Sequence, residues 1–306
     1  MPARIAINGL GRIGRNQLRL LVSRRSDLEL VAVNDPRGTR ALVELLRADG
    51  GSGPSTRGLS HDDKHLFLNG RAIRMFSEDD PLHLPWAELG VDVVIESTGS
   101  DTSADDARKH LRAGAKKVIM TAPAPGDDGT FMLGVNEQRY APDRHHVISS
   151  ASCTTNCLAP VAKVFHEAFG IHAGLMTTLH ADATDHLLRD IPHADPRTLG
   201  GREGRITSST AGTARAIGRL LPDLDDGRLD SYALQVPSLS GAITHLTVTA
   251  SRPVTAAEVT AAYEEAAAGA FKGILRCADD EIAIADTVID PHSSILDAGL
   301  IRVIGS

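Results

Sequence analysis

The stretch Arg4–Gly14, RIAINGLGRIG, decides how the first half of the chain is read. A short apolar run ends in Gly9-Leu10-Gly11-Arg12-Ile13-Gly14, and RNQLRLLVSR follows with helical spacing. Glycines so spaced permit a tight turn, let backbone approach a pyrophosphate, and allow the helix to pack closely on the preceding strand. The phosphates would rest at the helix N-terminus, where unpaired N–H groups and the helix dipole favour an anion. Asp35 stands 21 residues after Gly14, at the end of the next apolar run, LELVAVND. A carboxylate there accepts from a ribose 2′-hydroxyl. A bare GxGxxG is also compatible with a turn that binds nothing, but strand, helix and acid together favour a dinucleotide. The acid would repel a 2′-phosphate, which favours NAD over NADP, although Arg37 lies close to it.

Outward from this unit the alternation continues through TRALVELLRA, VDVVIES, SADDARKHLRAG, KKVIM and HHVISS. Short apolar runs alternating with amphipathic stretches predict an α/β, doubly wound parallel sheet covered by helices, the Rossmann arrangement. DGGSGPSTRGLSHDD interrupts it as a polar, Gly-rich loop. After residue 152 the texture changes. CTTNCLAPVAKVFHEAFG places Leu158, Val161, Val164, Phe165 and Phe169 on one helical face, and Pro160 within it predicts a kink or a late helix start. AGLMTTLH, YALQVP, ITHLTVTASR and EIAIADTVI have β character, and TAAEVTAAYEEAAAG reads as a helix. The expectation is an NAD-binding domain over 1–152 and an α+β catalytic domain with a mostly antiparallel sheet over 153–306.

The bulk composition narrows the function class. The 306 residues are 42% hydrophobic and 23% charged, as in ordinary globular domains, and 3% aromatics leave the core to Val, Leu, Ile and Ala. A net charge of −7 gives no electrostatic reason to expect nucleic acid or an anionic membrane as partner. The N-terminus has no signal-peptide pattern, and no apolar run approaches ~18 residues. Three cysteines are too few, and odd in number, for a disulfide framework, so a reducing, cytoplasmic setting is expected.

The second stretch with chemistry is SASCTTNCLAP, Ser150–Pro160. Cys153 opens a helix, and a helix N-terminus favours a thiolate over a thiol. Free cysteines are more often small core residues. Cys157, one turn on, lacks the second pair that a metal site would need, so it reads as packed. His180 ends the run LMTTLH, from which a side chain can project into a cleft. With a hydride acceptor nearby, thiolate attack on an aldehyde gives a hemithioacetal, hydride transfer leaves a thioester, and an imidazole takes the hydroxyl proton.

INGLGRIGR, VAVNDP, VDVVIESTG, GAKKVIMTAPAPGDDGTFMLGVN, SASCTTNCLAP and GLMTTLHADATD, in this order and spacing, resemble glyceraldehyde-3-phosphate dehydrogenase over nearly the whole chain. The resemblance implies a Rossmann domain, a catalytic α+β domain and a homotetramer. It implies Cys153 as nucleophile and His180 as base. Gly9, Gly11, Arg12, Ile13, Asp35, Thr98, Gly99 and Thr121 match cofactor-contacting positions, and Ser152, Thr154, Asp185 and Gln235 fall where substrate is met.

The departures concern phosphate. Ala183 stands where the family's H-x-x-T-x-D has Thr, and Ala211 where its S-T-G-A-A-K-A has a phosphate-binding Thr. Gln235 replaces the arginine of R-V-P, and Thr198 the second arginine of an R-R pair; Arg202 and Arg205 are new basic residues nearby. Charge-assisted bonds of this kind contribute ~1.5–3 kcal/mol each, so four losses point to a substrate other than glyceraldehyde 3-phosphate. The sequence also stops after SSILDAGLIRVIGS, where the family continues with a final strand and a returning helix that a second chain could supply. The expected function is therefore an NAD-dependent oxidoreductase acting on a small aldehyde or, in reverse, an acyl thioester. The alternatives are a non-catalytic or partner-dependent binding subunit and an ordinary glyceraldehyde-3-phosphate dehydrogenase.

Overall fold

The computed structural model describes residues 2–23, 27–48, 58–99, 103–181, 206–210, 212–236, 241–279 and 290–305, together with 282 and 287. The chain divides into two compact units, Met1–Phe131 with Gln138–Ala151, and Met132–Glu137 with Ser152–Ser306. The short segment Met132–Glu137 thus belongs with the second half of the chain.

The first unit begins β1 (Ala3–Asn8), α1 (Arg12–Ser23), β2 (Leu28–Asn34), α2 (Gly38–Ala48). It continues β3 (Ser60–His61), β4 (His65–Leu68), β5 (Arg71–Phe76), β6 (Val93–Glu96), α3 (Ala104–Arg112), β7 (Lys117–Met120), β8 (Gly129–Thr130) and β9 (Val147–Ser149). Among the described residues these strands form one sheet in the order β3-β4-β5-β2-β1-β6-β7-β9-β8. From β5 to β8 every pairing is parallel, while β3, β4 and β5 pair antiparallel.

The apolar runs are continuous because both faces of the sheet are covered. Ile5 and Ile7 of β1 pack into one cluster with Leu18, Leu42 and Leu46, while Ala6 faces the other with Ala32, Val94 and Trp86. The small alanines there leave room for the chain's single tryptophan, which is fully buried. The tail of the polar loop contributes the short strand β3. The β4–β5 hairpin, turning on Asn69 and Gly70 with φ of 49° and 74°, follows the Asn-Gly rule for two-residue turns.

The three glycines of the opening stretch have separate tasks. Gly9 has a φ of 86°, and a Cβ there would lie 2.4 Å from the Thr98 nitrogen. Gly11 faces open space. A Cβ on Gly14 would lie 2.0 Å from the Gly9 carbonyl oxygen. Gly14→Ala is therefore expected to destabilise the protein by ~1–3 kcal/mol through overpacking, against the ~1 kcal/mol gain that alanine brings to an open helix position. A rise in the denaturant midpoint would contradict this.

The second unit comprises α4 (Cys153–Phe169), β10 (Ile171–Ala181), β11 (Thr207–Thr210), α5 (Thr213–Leu220), β12 (Leu229–Val236), β13 (Ala242–Ala250), α6 (Ala256–Ala268), β14 (Leu275–Ala278) and β15 (Ser294–Asp297). Its four-stranded sheet runs β11-β12-β10-β13, with antiparallel outer pairs and a parallel pair, β10–β12, at the centre. Of the two expectations for Pro160, a kink or a late helix start, the late start does not hold: the helix begins at Cys153 and runs through the proline. Ser152 caps it, its Oγ accepting the Thr155 N–H at 3.1 Å. Pro160 is buried along with Leu158, Ala159 and Ala162, and this packing offsets the missing backbone donor. Most of EIAIADTVI lies outside the described residues.

Candidate active site

The chain leaves the first unit and enters α4 through Ala151, a left-handed residue with φ of 59°. Such a conformation costs about 1 kcal/mol outside glycine, and the Ser149 Oγ holds it by accepting the Ala151 N–H at 2.9 Å. Cys153 is the first helical residue and its side chain is exposed. His180 lies near the end of β10, with its Nε2 3.5 Å from the Cys153 Sγ. Two residues 27 positions apart thus meet because α4 and β10 are consecutive and antiparallel in direction across Gly170, where φ is 71°.

Gln235 of β12 pairs in parallel register with His180. Side chains paired in this way project from the same face of the sheet. The Ser152 Oγ lies 2.9 Å from the Thr154 Oγ1, which lies 3.0 Å from the Thr213 Oγ1 at the start of α5. A row of three hydroxyls therefore flanks the thiol. Thr213 was not among the residues picked out by sequence. Cys157 packs instead against Ser294, Sγ to Oγ 3.8 Å. Asp185, Ala183, Thr198, Ala211, Arg202 and Arg205 lie outside the described residues.

In the first unit, every expected cofactor position lies beyond a carboxyl end of a parallel strand. Gly9, Gly11, Arg12 and Ile13 follow β1, Asp35 follows β2, Thr98 and Gly99 follow β6, and Thr121 follows β7. Strand order reverses between β1 and β6, and in open α/β sheets ligands bind in the crevice at such a switch point. Three observations fit a dinucleotide there. The space beside Gly11 is open, the first turn of α1 carries no acidic residue, and Ile13 leaves an apolar side chain 49% exposed. Asp35 itself is buried and accepts the Leu10 N–H at 2.7 Å, tying β2 to the glycine turn. Burial alone would raise its pKa, but hydrogen bonds from Arg37 and from the Leu10 and Arg37 N–H groups outweigh it and hold the carboxyl below its usual range.

Beneath these loops is a buried polar network that sequence reading missed. The Glu96 carboxylate accepts the Asn8 Nδ2, the His110 Nε2–H at 3.1 Å, the Thr98 N–H at 2.8 Å and the Thr98 hydroxyl. Trp86 Nε1 donates to His110 Nδ1 at 2.9 Å, which fixes the imidazole proton on Nε2, because an indole N–H cannot accept. Asn34 Nδ2 donates to Asn8 Oδ1 at 2.7 Å.

Two family models match the chain. Residues 3–104 match "Glyceraldehyde 3-phosphate dehydrogenase, NAD binding domain", and residues 152–306 match "Glyceraldehyde 3-phosphate dehydrogenase, C-terminal domain". Among curated proteins, glyceraldehyde-3-phosphate dehydrogenase 1 of Streptomyces avermitilis is 48% identical over 306 residues, spanning 100% of this chain and 91% of the relative. Glyceraldehyde-3-phosphate dehydrogenase of Mycobacterium bovis is 46% identical over 310 residues, spanning 99% and 91%. Among the described residues no helix is long and apolar enough to cross a membrane.

Proposed function

Because the chain belongs to the glyceraldehyde-3-phosphate dehydrogenase family, we propose that it oxidises an aldehyde through a thioester on Cys153, with His180 as base. It is an NAD-dependent oxidoreductase of that type. The 3.5 Å approach of Sγ to Nε2 carries the assignment of roles and speaks against a purely binding function. Sγ adds to the carbonyl carbon, the C–O π pair moves to oxygen, and protonation gives a hemithioacetal. Nε2 then takes the hydroxyl proton as hydride leaves the carbon, and the re-formed C=O is that of a thioester. NAD, when bound, supplies the acceptor for that hydride. Transfer of the acyl group to an acceptor regenerates the thiol, and the reverse sequence reduces an acyl thioester. Family membership also supports a homotetramer and a cytoplasmic location, the former testable by sedimentation.

Two observations pull the substrate in opposite directions. Gln235, on the same sheet face as His180, offers no positive charge where the resemblance expects arginine, which favours an aldehyde without phosphate. Thr213 favours the second reading, glyceraldehyde 3-phosphate with inorganic phosphate as acyl acceptor. Its hydroxyl stands beside that of Thr154, two residues along the sequence from Ala211. The relatives' names weigh on the same side, so this reading is at least as well supported. The test compares NADH formation from glyceraldehyde 3-phosphate and from unphosphorylated glyceraldehyde, with and without inorganic phosphate. Charge-assisted bonds of ~1.5–3 kcal/mol each make a preference of about 100-fold or more for the phosphorylated aldehyde the expectation of the second reading, and a preference under about tenfold that of the first. No NADH from either aldehyde, with no acyl adduct on Cys153 by mass spectrometry, would sink the thioester mechanism.

A further inference from the structure

The Asp35 carboxylate is fully engaged. Oδ1 accepts the Arg37 N–H at 3.1 Å and Arg37 Nε at 2.8 Å, while Oδ2 accepts the Leu10 N–H at 2.7 Å and Arg37 Nη2 at 2.8 Å. A carboxylate offers about four acceptor positions, so a ribose hydroxyl finds none while the guanidinium stays in place. The two groups differ in their freedom to move. The Asp35 side chain is 6% exposed, and that of Arg37 is 45% exposed. Turning the guanidinium outward vacates one position on each oxygen and leaves both oxygens held by backbone N–H groups.

We propose that Arg37 sets the cofactor preference of this chain and that, through it, the chain binds NADP as well as NAD. The proposal rests on the reading of Asp35 as the ribose partner. With NAD, the ribose hydroxyls donate to the vacated carboxylate positions and the displaced guanidinium returns to water. With NADP, the guanidinium instead forks onto the 2′-phosphate, a geometry that suits arginine better than lysine. An unpaired acid at the end of β2 excludes that phosphate by repulsion. An acid carrying its own arginine presents no net charge, so the exclusion is relieved where the sequence rule expects it to be strongest.

The test measures dissociation constants of NAD and NADP on the full chain without substrate, by calorimetry, for the unmodified protein, Arg37→Ala, Arg37→Lys and Asp35→Asn. Thermal melts serve as the folding control. Loss of a charge-assisted fork should weaken NADP by roughly tenfold or more in Arg37→Ala, with NAD unchanged or tightened because its ribose no longer displaces a guanidinium. Arg37→Lys, which keeps the charge and loses the fork, should fall between, and it carries the test if the alanine variant does not fold. An NAD:NADP ratio unmoved by either Arg37 variant, or no NADP binding by the unmodified protein, overturns the proposal. If Asp35→Asn leaves NAD binding untouched, the ribose reading falls and the proposal with it. If Asp35→Asn weakens NAD while the Arg37 variants leave the ratio fixed, the proposal alone falls.

Discussion

Cys153→Ala is expected to abolish aldehyde-dependent NADH formation, by about 10⁴-fold or more, while leaving the protein folded. The side chain is exposed at the first position of α4, and the Ser152 cap does not depend on it, so the change in stability should stay within ~0.5 kcal/mol. His180→Asn should lower the rate by a smaller factor, ~10²–10⁴, because it removes only the proton acceptor. It should also slow alkylation of Cys153 by iodoacetamide, since Nε2 faces Sγ directly. Measuring turnover and alkylation together separates the two roles. Retention of turnover in Cys153→Ala would remove the thioester from the mechanism, and alkylation unaffected in His180→Asn would remove histidine activation.

Glu96→Ala should be the most damaging substitution away from the thiol. It leaves the Asn8 amide, the His110 Nε2–H and the Thr98 N–H without their acceptor in the interior. Each buried donor left unsatisfied costs about 1–3 kcal/mol, so together they take a large share of the ~5–15 kcal/mol by which domains are stable. His110→Leu should cost less, because Glu96 keeps its bonds to Asn8 and Thr98 while Trp86 Nε1 loses its acceptor. Chemical denaturation of both variants checks the order. A Glu96→Ala protein with an unchanged midpoint would mean that water reaches these groups and the network contributes nothing.

The glycine turn and the acid at the ends of β1 and β2 were legible because their residues obey local rules. Gly9 must turn, Gly14 must let a helix approach, and Asp35 must end a strand, and each requirement is visible within a few positions of sequence. The places of Cys153 and His180 in the fold were legible because both stand at element ends. Glu96 and His110 were not. Glu96 reads as the polar end of a strand and His110 as one more charged residue in SADDARKHLRAG, and only packing buries them both. Thr213 was not legible either, because only the packing of α5 brings its hydroxyl to that of Thr154. The Asn69-Gly70 hairpin carried a plain signal, alternating residues around a turn dipeptide, that the strand–helix alternation overshadowed.

Asn34, Asn8 and Glu96 occupy one rung of the parallel sheet, the last residues of β2, β1 and β6. Further down, the β1–β2 ladder is irregular, passing from Ile5↔Leu30 to Ala6↔Ala32. An apolar ladder of Ile, Val and Ala discriminates poorly between alignments two residues apart, since each would still bury similar side chains. A rung of two amides and a carboxylate does not tolerate such a slip, because a Glu96 shifted two residues along β1 would face Ala6 in place of Asn8. The network therefore selects among strand alignments as the sheet assembles. It holds the glycine turn, the acid and Thr98 level with one another before any nucleotide arrives.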